Sequence, residues 1–342
     1  MAGKPLLRVL SGTPVWPPPI WLMRQAGRYL PEYRALRAKV PNFLTFCTTP
    51  ELAIEATLQP VRRFSLDAAI LFSDIMLLPW ALGCPLAYKD NVGPVLPPLT
   101  DLAAVERLAL ARLPEASRPV LETIRGVHAA LPPAVALIGF TGAPFTLACY
   151  LTDGRSGEFH TARRMLRDNP WLFTALIERL TEAAIPYLAA QAEAGVEALM
   201  LFDSWAGLLP SSLFRRFVIA PAARIAASLK ARFPSLPLIG FPRLAGLMLE
   251  PYARLSGLDA VGLDSIADPT LAAASIPASI ALQGNLDPFS LLSGGPSLGE
   301  EALAIAGALR GRPHIFNLGH GVLPETPPAH VADLVHTLRE AV

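Results

Sequence analysis

Short apolar runs alternate with longer segments of helical pattern along most of this chain, and this alternation constrains its fold more than any other feature. The runs are hydrophobic throughout, as strands buried on both faces of a parallel sheet are, and do not alternate polar with apolar residues. Eight of them are candidate strands: 20–22, 68–72, 135–138, 198–202, 238–241, 260–263, 280–282 and 315–316.

Seven segments between these runs are candidate helices, and several begin with proline or an acidic residue, as helices prefer. They are 50–64, 101–113, 117–131, 170–194, 210–233, 300–309 and 328–341. The alternation predicts an α/β fold, a single-domain (β/α)8 TIM barrel over residues 1–342. A doubly wound open sheet is the alternative, but no run is followed by a GxGxxG turn, so nucleotide binding has little support. Proline-rich stretches such as 93–98 are predicted surface loops.

The hydrophobic fraction of 52% and the mean hydropathy of +0.40 raise the question of a membrane span. The longest uncharged stretch, 129–152, contains three prolines and two glycines, which break it into a strand, a loop and the start of a helix. The N-terminal residues include Lys4 and Arg8 but no continuous apolar core before a cleavage site, so no secretory signal is predicted. We therefore expect a soluble cytoplasmic protein with no membrane partner.

Charge and cysteine content exclude further classes of function. The formal net charge is +1, which gives no basis for nucleic-acid binding, because that function requires a strongly basic face. Cys47, Cys84 and Cys149 are too widely spaced for a disulfide framework or a CxxC metal site. We expect them to be small buried side chains.

Residues 21–33 read WLMRQAGRYLPEY, and this stretch is equipped to bind anions. Small residues let a ligand approach the backbone, and guanidinium groups match carboxylate or phosphate geometry with two parallel hydrogen bonds. The alternative is a loop followed by a helix with a solvated basic face. The candidate anion-binding residues are Arg24, Gln25, Ala26, Gly27 and Arg28, with Arg37 shortly after them.

The order of residues in this stretch resembles the N-terminal signature of the uroporphyrinogen decarboxylase family, whose members remove carbon dioxide from the acetate side chains of a tetrapyrrole. Further matches follow in family order and together span nearly the whole chain. They are FSDI at 72–75, GFTGAPFT at 139–146 leading to Tyr150, FDSWAG at 202–207, QGNLDP at 283–288 and NLGHGV at 317–322. On the proposed barrel nearly all of them fall at the carboxyl ends of strands, where active sites of that fold lie.

The resemblance implies a reaction, a substrate and an assembly. The enzymes of this family convert the four acetate groups of uroporphyrinogen III to methyl groups, giving coproporphyrinogen III for haem synthesis, without metal or organic cofactor and as homodimers. The residues are consistent with this. A pyridoxal enzyme needs a Schiff-base lysine, and no lysine follows a proposed strand. A protonated pyrrole ring of the substrate can itself accept the electrons of the breaking bond.

The resemblance also assigns roles at the site. Asp74, Tyr150 and Arg24 are the expected catalytic residues, with Asp74 stabilising positive charge on the pyrrole. Substrate-binding residues are expected to be Arg24, Gln25, Ala26, Gly27, Arg28, Arg37, Asp74, Tyr150, Ser204 and His320. Arginine is a poor proton donor, so the candidates for the general acid are Tyr150, His320 and a bound water.

Each of these assignments has a structural alternative. Asp74 and Ser204 could cap helices, and Tyr150 could be a core residue whose hydroxyl has one partner. His320 could be an inert loop histidine, and Asp67 is expected to be structural. Two positions depart from the family pattern, Arg243 and Ser265, where a lysine and a tryptophan are common.

Two other functions compete with the decarboxylase. Related methyltransferases bind zinc through histidine and cysteine and act on a corrinoid, but no His-x-Cys pair is present here. A tetrapyrrole carrier without catalysis is the other alternative. Retention of the arginines, the aspartate and the histidine argues against it.

Overall fold

The computed structural model describes residues 3–89 and 92–341. Its strands, in chain order, are β1 (Ala68–Ile70), β2 (Ala87–Lys89), β3 (Gly93–Val95), β4 (Ala136–Gly142), β5 (Ala198–Asp203), β6 (Leu238–Pro242), β7 (Ala260–Gly262), β8 (Ala281–Gln283) and β9 (His314–Ile315). Strands β2 and β3 pair antiparallel with each other. The remaining strands form a parallel sheet of seven in the order β1-β4-β5-β6-β7-β8-β9.

Helices precede, separate and follow these strands. They are α1 (Pro5–Leu10), α2 (Pro31–Arg37), α3 (Phe43–Thr48), α4 (Pro50–Phe64), α5 (Leu77–Ala81), α6 (Leu102–Glu106), α7 (Leu113–Ala116), α8 (Arg118–Ala130), α9 (Pro144–Asp153), α10 (His160–Asp168), α11 (Pro170–Ala194), α12 (Ser211–Phe214), α13 (Ala220–Arg232), α14 (Leu249–Leu255), α15 (Pro269–Ser275), α16 (Pro288–Ser293), α17 (Pro296–Ala308) and α18 (Pro328–Arg339). Short 3-10 turns lie at Leu110–Arg112, Ala206–Leu208 and Gly246–Met248, and a π-helical turn at Arg215–Ile219 joins α12 to α13.

Burial explains why the strands are apolar throughout. All seven residues of β4 are buried, and so are all residues of β6 and β7, because helices cover one face of the sheet and side chains fill the other. Consecutive strands of the sheet are also neighbours in space, as in Ile70 opposite Ile138 and Gly142 opposite Phe202. Their carboxyl ends therefore lie at one edge, which gathers the segments that follow them.

Residues 19–21 connect the two ends of this sheet. Phe316, just after β9, donates its N–H to Pro19 O at 2.9 Å and accepts from Trp21 N at 3.3 Å. On the other side Asp67, just before β1, donates its N–H to Ile20 O at 2.9 Å. Both edges of the sheet thus contact the same segment, so the sheet curls.

The predicted α/β class and most predicted elements are confirmed. Helices α4 and α11 have the predicted bounds. The run 20–22 forms only an isolated bridge at Ile20 and not a regular strand. The predicted helix 101–113 is wrong as one element: α6 ends at Glu106, and Ala109 donates its N–H to Leu82 O at 2.9 Å, which draws the backbone out of helical geometry.

Two smaller predictions are also corrected. The stretch 93–98 is not simply a surface loop, because Gly93–Val95 is β3, and Leu96 is buried and bonded to Gly154 O at 2.8 Å. Cys47 and Cys149 are buried as expected, whereas Cys84 is partly exposed. Within the described ranges, helices are all too short or too polar to cross a membrane.

Asp67 has the structural role expected of it. One of its carboxylate oxygens accepts from Ile20 N at 2.7 Å and from the Arg339 guanidinium at 2.6 Å. This single carboxylate therefore ties residues 19–21 and the C-terminal helix α18 to the start of β1.

We predict that Asp67→Ala lowers the free energy of unfolding by about 1–3 kcal/mol, because the Ile20 N–H loses its side-chain acceptor. Urea denaturation measures this. The control is Glu55→Ala, which removes a solvent-exposed pair with Arg62 and is expected to change stability by less than about 1 kcal/mol. Equal losses in the two variants would contradict a special role for Asp67.

Candidate active site

A cavity of about 1020 Å³ opens at the carboxyl ends of the parallel strands. Nine of the ten residues marked by the sequence line it: Arg24, Ala26, Gly27, Arg28, Arg37, Asp74, Tyr150, Ser204 and His320. A smaller concavity of about 420 Å³, between α10 and the segment after β5, contains none of them. The structure therefore brings the candidate residues together from six separate parts of the chain.

Gln25 is the exception, because its side chain does not line the cavity in which the other nine residues meet. Its side chain is fully buried outside the cavity, accepts from Leu22 N at 3.1 Å and donates to Ala68 O at 3.1 Å. The Tyr29 hydroxyl donates to Gln25 O at 2.8 Å. The glutamine thus fixes the arginine-bearing loop to the start of β1.

Arg24 lies in this loop with a left-handed backbone, at φ 60°. The preceding residue is held from across the sheet, because Asn317 Oδ1 accepts from Met23 N at 2.9 Å. Gly321 packs directly against the Arg24 side chain: a Cβ on this glycine would lie 2.3 Å from Arg24 Cδ. The guanidinium keeps solvent contact through the open cavity, while protein surrounds it on its other sides. Burial lowers its pKa, and the nearby Asp74 and Tyr150 oppose this shift.

Asp74 combines two functions of a strand-end carboxylate. Its Oδ1 accepts from Met76 N at 2.8 Å, just before α5, so the capping alternative is partly correct. The same side chain lines the cavity and faces Arg24. Burial raises its pKa, and the Met76 N–H, Tyr88 and Arg24 oppose the rise because they stabilise the charged form.

His320 is held as a neutral ring. Its Nδ1 accepts from Gly321 N at 2.6 Å, so the ring proton lies on Nε2. Burial, then the positive charges of Arg24 and Arg243, lower its pKa to about 3. At neutral pH the residue can therefore donate one hydrogen bond, but it carries no charge.

Tyr150 belongs both to the cavity wall and to an aromatic cluster. Its ring meets Phe159 edge-on at 5.4 Å, and Phe159 in turn meets Trp205 at 4.7 Å. Burial raises the pKa of the Tyr150 hydroxyl, so it stays protonated at neutral pH. Tyr150 therefore fits both readings, because its ring packs in the aromatic cluster and its side chain also lines the cavity.

Sequence reasoning missed several cavity residues. Arg243 was noted as a strand-end residue that departs from the family pattern but was not named as a site residue, yet it follows β6 and lines the cavity near Arg24. Tyr88 and Lys89 come from β2, an element with no predicted counterpart. The position of Arg243 after an apolar run was the available signal.

Among the described lining residues, the five cations Arg24, Arg28, Arg37, Lys89 and Arg243 outnumber the two carboxylates, Asp74 and Glu325.

Other strand-end polar residues hold the loops and do not face the cavity. Gln283 accepts from the Trp21 indole at 2.9 Å, and Asn285 donates to Asp264 O at 2.8 Å. Asp203 accepts from the Thr146 hydroxyl at 2.5 Å. Burial raises the pKa of Asp203 to about 7, against the hydrogen bonds from Thr146. The quoted motifs thus contain two kinds of residue, those lining the cavity and those positioning them.

The described parts of the chain contain no group of three or more histidine, cysteine or acidic side chains placed to hold a metal ion. The ligand set that the zinc-dependent methyltransferase alternative requires is therefore not formed by these residues.

Comparison with known proteins agrees with the geometry. The family model described as uroporphyrinogen decarboxylase (URO-D) matches residues 1–341. A uroporphyrinogen decarboxylase of Acidiphilium cryptum is 56% identical over 99% of this chain and 94% of its own length. One of Granulibacter bethesdensis is 55% identical over 98% of this chain and 99% of its own. Among solved structures, a methyltransferase from Methanosarcina mazei has a similar fold, with a TM-score of 0.78 at 24% identity over 98% of this chain and 97% of its own.

We predict that the His320 ring titrates with a pKa of about 3, so its carbon resonances should not move between about pH 5 and pH 8. Arg243→Gln should raise this pKa, because it removes one of the positive charges that disfavour the imidazolium. NMR titration, with the resonance assigned from His320→Gln, measures both.

The matched control is Arg254→Gln, whose arginine lies outside the cavity and pairs with Glu250. It should leave the His320 titration unchanged. A wild-type histidine that titrates near its ordinary value would contradict the electrostatic description of the site.

Proposed function

The chain belongs to the uroporphyrinogen decarboxylase family, and on that premise we propose that its cavity binds uroporphyrinogen III and removes the carboxylates of its four acetate side chains, giving coproporphyrinogen III. The observation that carries the proposal is the placement of Asp74. It is a half-buried carboxylate facing Arg24 in a cavity whose other charged groups are mostly cationic.

The charge of the cavity suits a polycarboxylate. Arg24, Arg28 and Arg37 offer planar donor groups that can each hold a carboxylate through two hydrogen bonds. Arg243 supplies a further cation on the cavity wall. Ser204 and the neutral Nε2–H of His320 can donate to carboxylates or side-chain oxygens without adding charge. The volume of about 1020 Å³ is at the upper end of typical ligand sites, as a macrocycle requires.

The proposed chemistry uses the substrate as its own electron sink. Protonation of a pyrrole carbon makes the ring cationic, and the Asp74 carboxylate stabilises this charge while accepting hydrogen bonds from pyrrole N–H groups. The bond from the acetate methylene to its carboxylate then breaks, its electron pair neutralises the ring, and carbon dioxide leaves. Protonation of the exocyclic methylene gives the methyl group, and loss of the ring proton restores the pyrrole.

This route defines what the other residues do. Arg24 holds the reacting acetate or its neighbour beside Asp74, and Tyr150, protonated at neutral pH, contributes a hydroxyl to the same region. His320 acts as a hydrogen-bond donor and not as a cation. No step needs a metal or an organic cofactor.

Two structural proposals accompany the function. Residues 19–21 bond to both ends of the parallel sheet, which supports its closure into an eight-stranded (β/α)8 barrel forming a single domain.

Segments after three neighbouring strands, β6, β7 and β8, expose the large apolar side chains Leu247, Ile266, Leu271 and Phe289. Such a surface supports a homodimer, which sedimentation velocity can test. A cytoplasmic location stays a prediction from the sequence.

Anaerobic incubation of the purified protein with uroporphyrinogen III, followed by oxidation and chromatography of the porphyrins, tests the function. The expected product carries four carboxyl groups, through intermediates with seven, six and five. Exhaustive chelation before the assay should leave the rate unchanged. Binding of the substrate without any loss of carboxylate would support the carrier alternative and overturn the proposal.

We predict that Asp74→Asn keeps the fold but lowers the turnover rate by roughly 100-fold to 1000-fold, because the amide has the shape of the carboxylate without its charge. Asp74→Glu keeps the charge, displaces it by one methylene, and should show an intermediate defect. Wild-type activity should fall as the pH decreases through the raised pKa of Asp74, above the usual range for a carboxylate. Near-normal turnover by the asparagine variant would leave Asp74 only its capping role.

We predict that Gly321→Ala lowers activity by at least about tenfold while changing the melting temperature little, because its Cβ would displace the Arg24 side chain and misplaced groups lose catalysis steeply. The matched control is Gly157→Ala, where an added Cβ meets nothing within 4 Å. Equal activity of the two variants would show that the position of Arg24 is not critical.

A further inference from the structure

Tyr88 is a cavity residue that belongs to none of the motifs in the sequence. It lies at the centre of β2, opposite Pro94 of β3, and its ring packs edge-on against Phe43 with centroids 4.9 Å apart. The side chain lines the cavity, yet its hydroxyl is buried and makes no hydrogen bond with any of the described residues. A buried hydroxyl without a partner is unfavourable, so this one requires an explanation.

The charged group to which this hydroxyl can donate is the Asp74 carboxylate. The Tyr88 hydroxyl lies within hydrogen-bonding reach of this carboxylate, which lowers the pKa of Asp74 and raises that of Tyr88, although the two groups are not aligned as in a well-formed hydrogen bond. Asp74 Oδ1 already accepts from Met76 N. A carboxylate has acceptor sites for several donors, so a second donor can be added without displacing the first.

Among the tyrosines around Asp74, Tyr88 is the one whose buried hydroxyl lacks a well-formed hydrogen bond to the described residues. The ionisable groups that face Asp74 are Arg24 from the N-terminal loop, Tyr33 from α2, Cys47 from α3, Tyr88 from β2, Tyr150 from α9 and Tyr187 from α11. Tyr150 lies beside Trp205 and Ser156, and Tyr187 beside Ser73. The one charged group in this set, Arg24, is the group that the proposed function assigns to the substrate carboxylate.

We propose that Tyr88 is a positioning residue that donates its hydroxyl to Asp74, holding the carboxylate ionised and aimed at the pyrrole N–H groups. This inference rests on the proposed function. The hairpin of β2 and β3 thereby contributes to the catalytic carboxylate from outside the parallel sheet.

The electrostatics of both groups agree with this role. Burial raises the pKa of Tyr88 far above its ordinary value, with Asp74 adding to the rise, so the hydroxyl remains a donor at every working pH. Burial also raises the pKa of Asp74, and a donor on the carboxylate opposes that rise. Removing the hydroxyl should therefore raise the pKa of Asp74 further.

The test is Tyr88→Phe, which keeps the ring against Phe43 and removes only the hydroxyl. The acidic limb of the pH profile of kcat/KM should move to higher pH by roughly one unit, the size expected for losing one hydrogen bond to a charged group. At a pH well above this limb, KM should change less than twofold. The control is Tyr252→Phe, whose buried hydroxyl lies outside the cavity and which should leave the limb in place.

A second readout does not depend on activity. The Asp74 carboxyl carbon, labelled with carbon-13 and assigned from Asp74→Asn, should titrate at a higher pH in Tyr88→Phe than in wild type. If wild-type protein fails to decarboxylate uroporphyrinogen while this carbon still shifts, the proposed function fails and the contact between Tyr88 and Asp74 stands. If neither the kinetic limb nor the carbon titration moves, the positioning role is overturned.

Discussion

Hydrogen bonds from both edges of the parallel sheet hold residues 19–23, and they determine where Arg24 can lie. Asp67 binds Ile20 from the β1 side, while Phe316 and Asn317 bind Pro19, Trp21 and Met23 from the β9 side. Only after this attachment does the chain turn, with a left-handed residue at Arg24, into the cavity. The backbone of Arg24 is therefore fixed before any ligand arrives, and Gly321 packs against its side chain. Such prior placement of charged groups is the condition for electrostatic preorganisation.

The placement of a carboxylate in a cationic cavity sets two opposing demands on Asp74. Burial favours the protonated acid, whereas a role in stabilising a cationic pyrrole needs the anion. Arg24 and the Met76 N–H supply part of the stabilisation of the anion. The same positive field acts oppositely on His320, where it adds to burial and keeps the imidazole neutral. One set of arginines thus favours charge on the aspartate and disfavours it on the histidine.

The sequence predicts those features of the structure that depend on local pattern better than those that depend on contacts between distant segments. Continuous apolar runs and helical periodicity predict the buried parallel strands and the long helices α4 and α11, because burial acts on whole elements. Local sequence pattern does not predict hydrogen bonds between distant segments. The break after α6 and the hairpin of β2 and β3 were therefore missed. At the site, strand-end position predicts Asp74, Ser204 and His320 in the cavity. It cannot predict that Gln25 turns inward to bond Leu22 and Ala68, since side-chain direction depends on the fold around it.

The division of the motif residues into two kinds follows from the nature of the proposed substrate. A flexible ring with many carboxylates can bind a cationic surface in many orientations, and charge alone selects none of them. Selection requires that the cations and the carboxylate of Asp74 keep fixed relative positions while the ligand adjusts. Gln25, Gln283 and Asn317 use their side chains to hold the segment that carries Arg24. The side chains of Asp203 and Asn285 bond to Thr146 and to Asp264 O and hold the segments after neighbouring strands. A substitution among these residues should therefore change the orientation of the bound ligand and the turnover rate, while the charge of the cavity stays the same. Their place in the motifs thus reflects the geometry of the site as much as contact with the ligand.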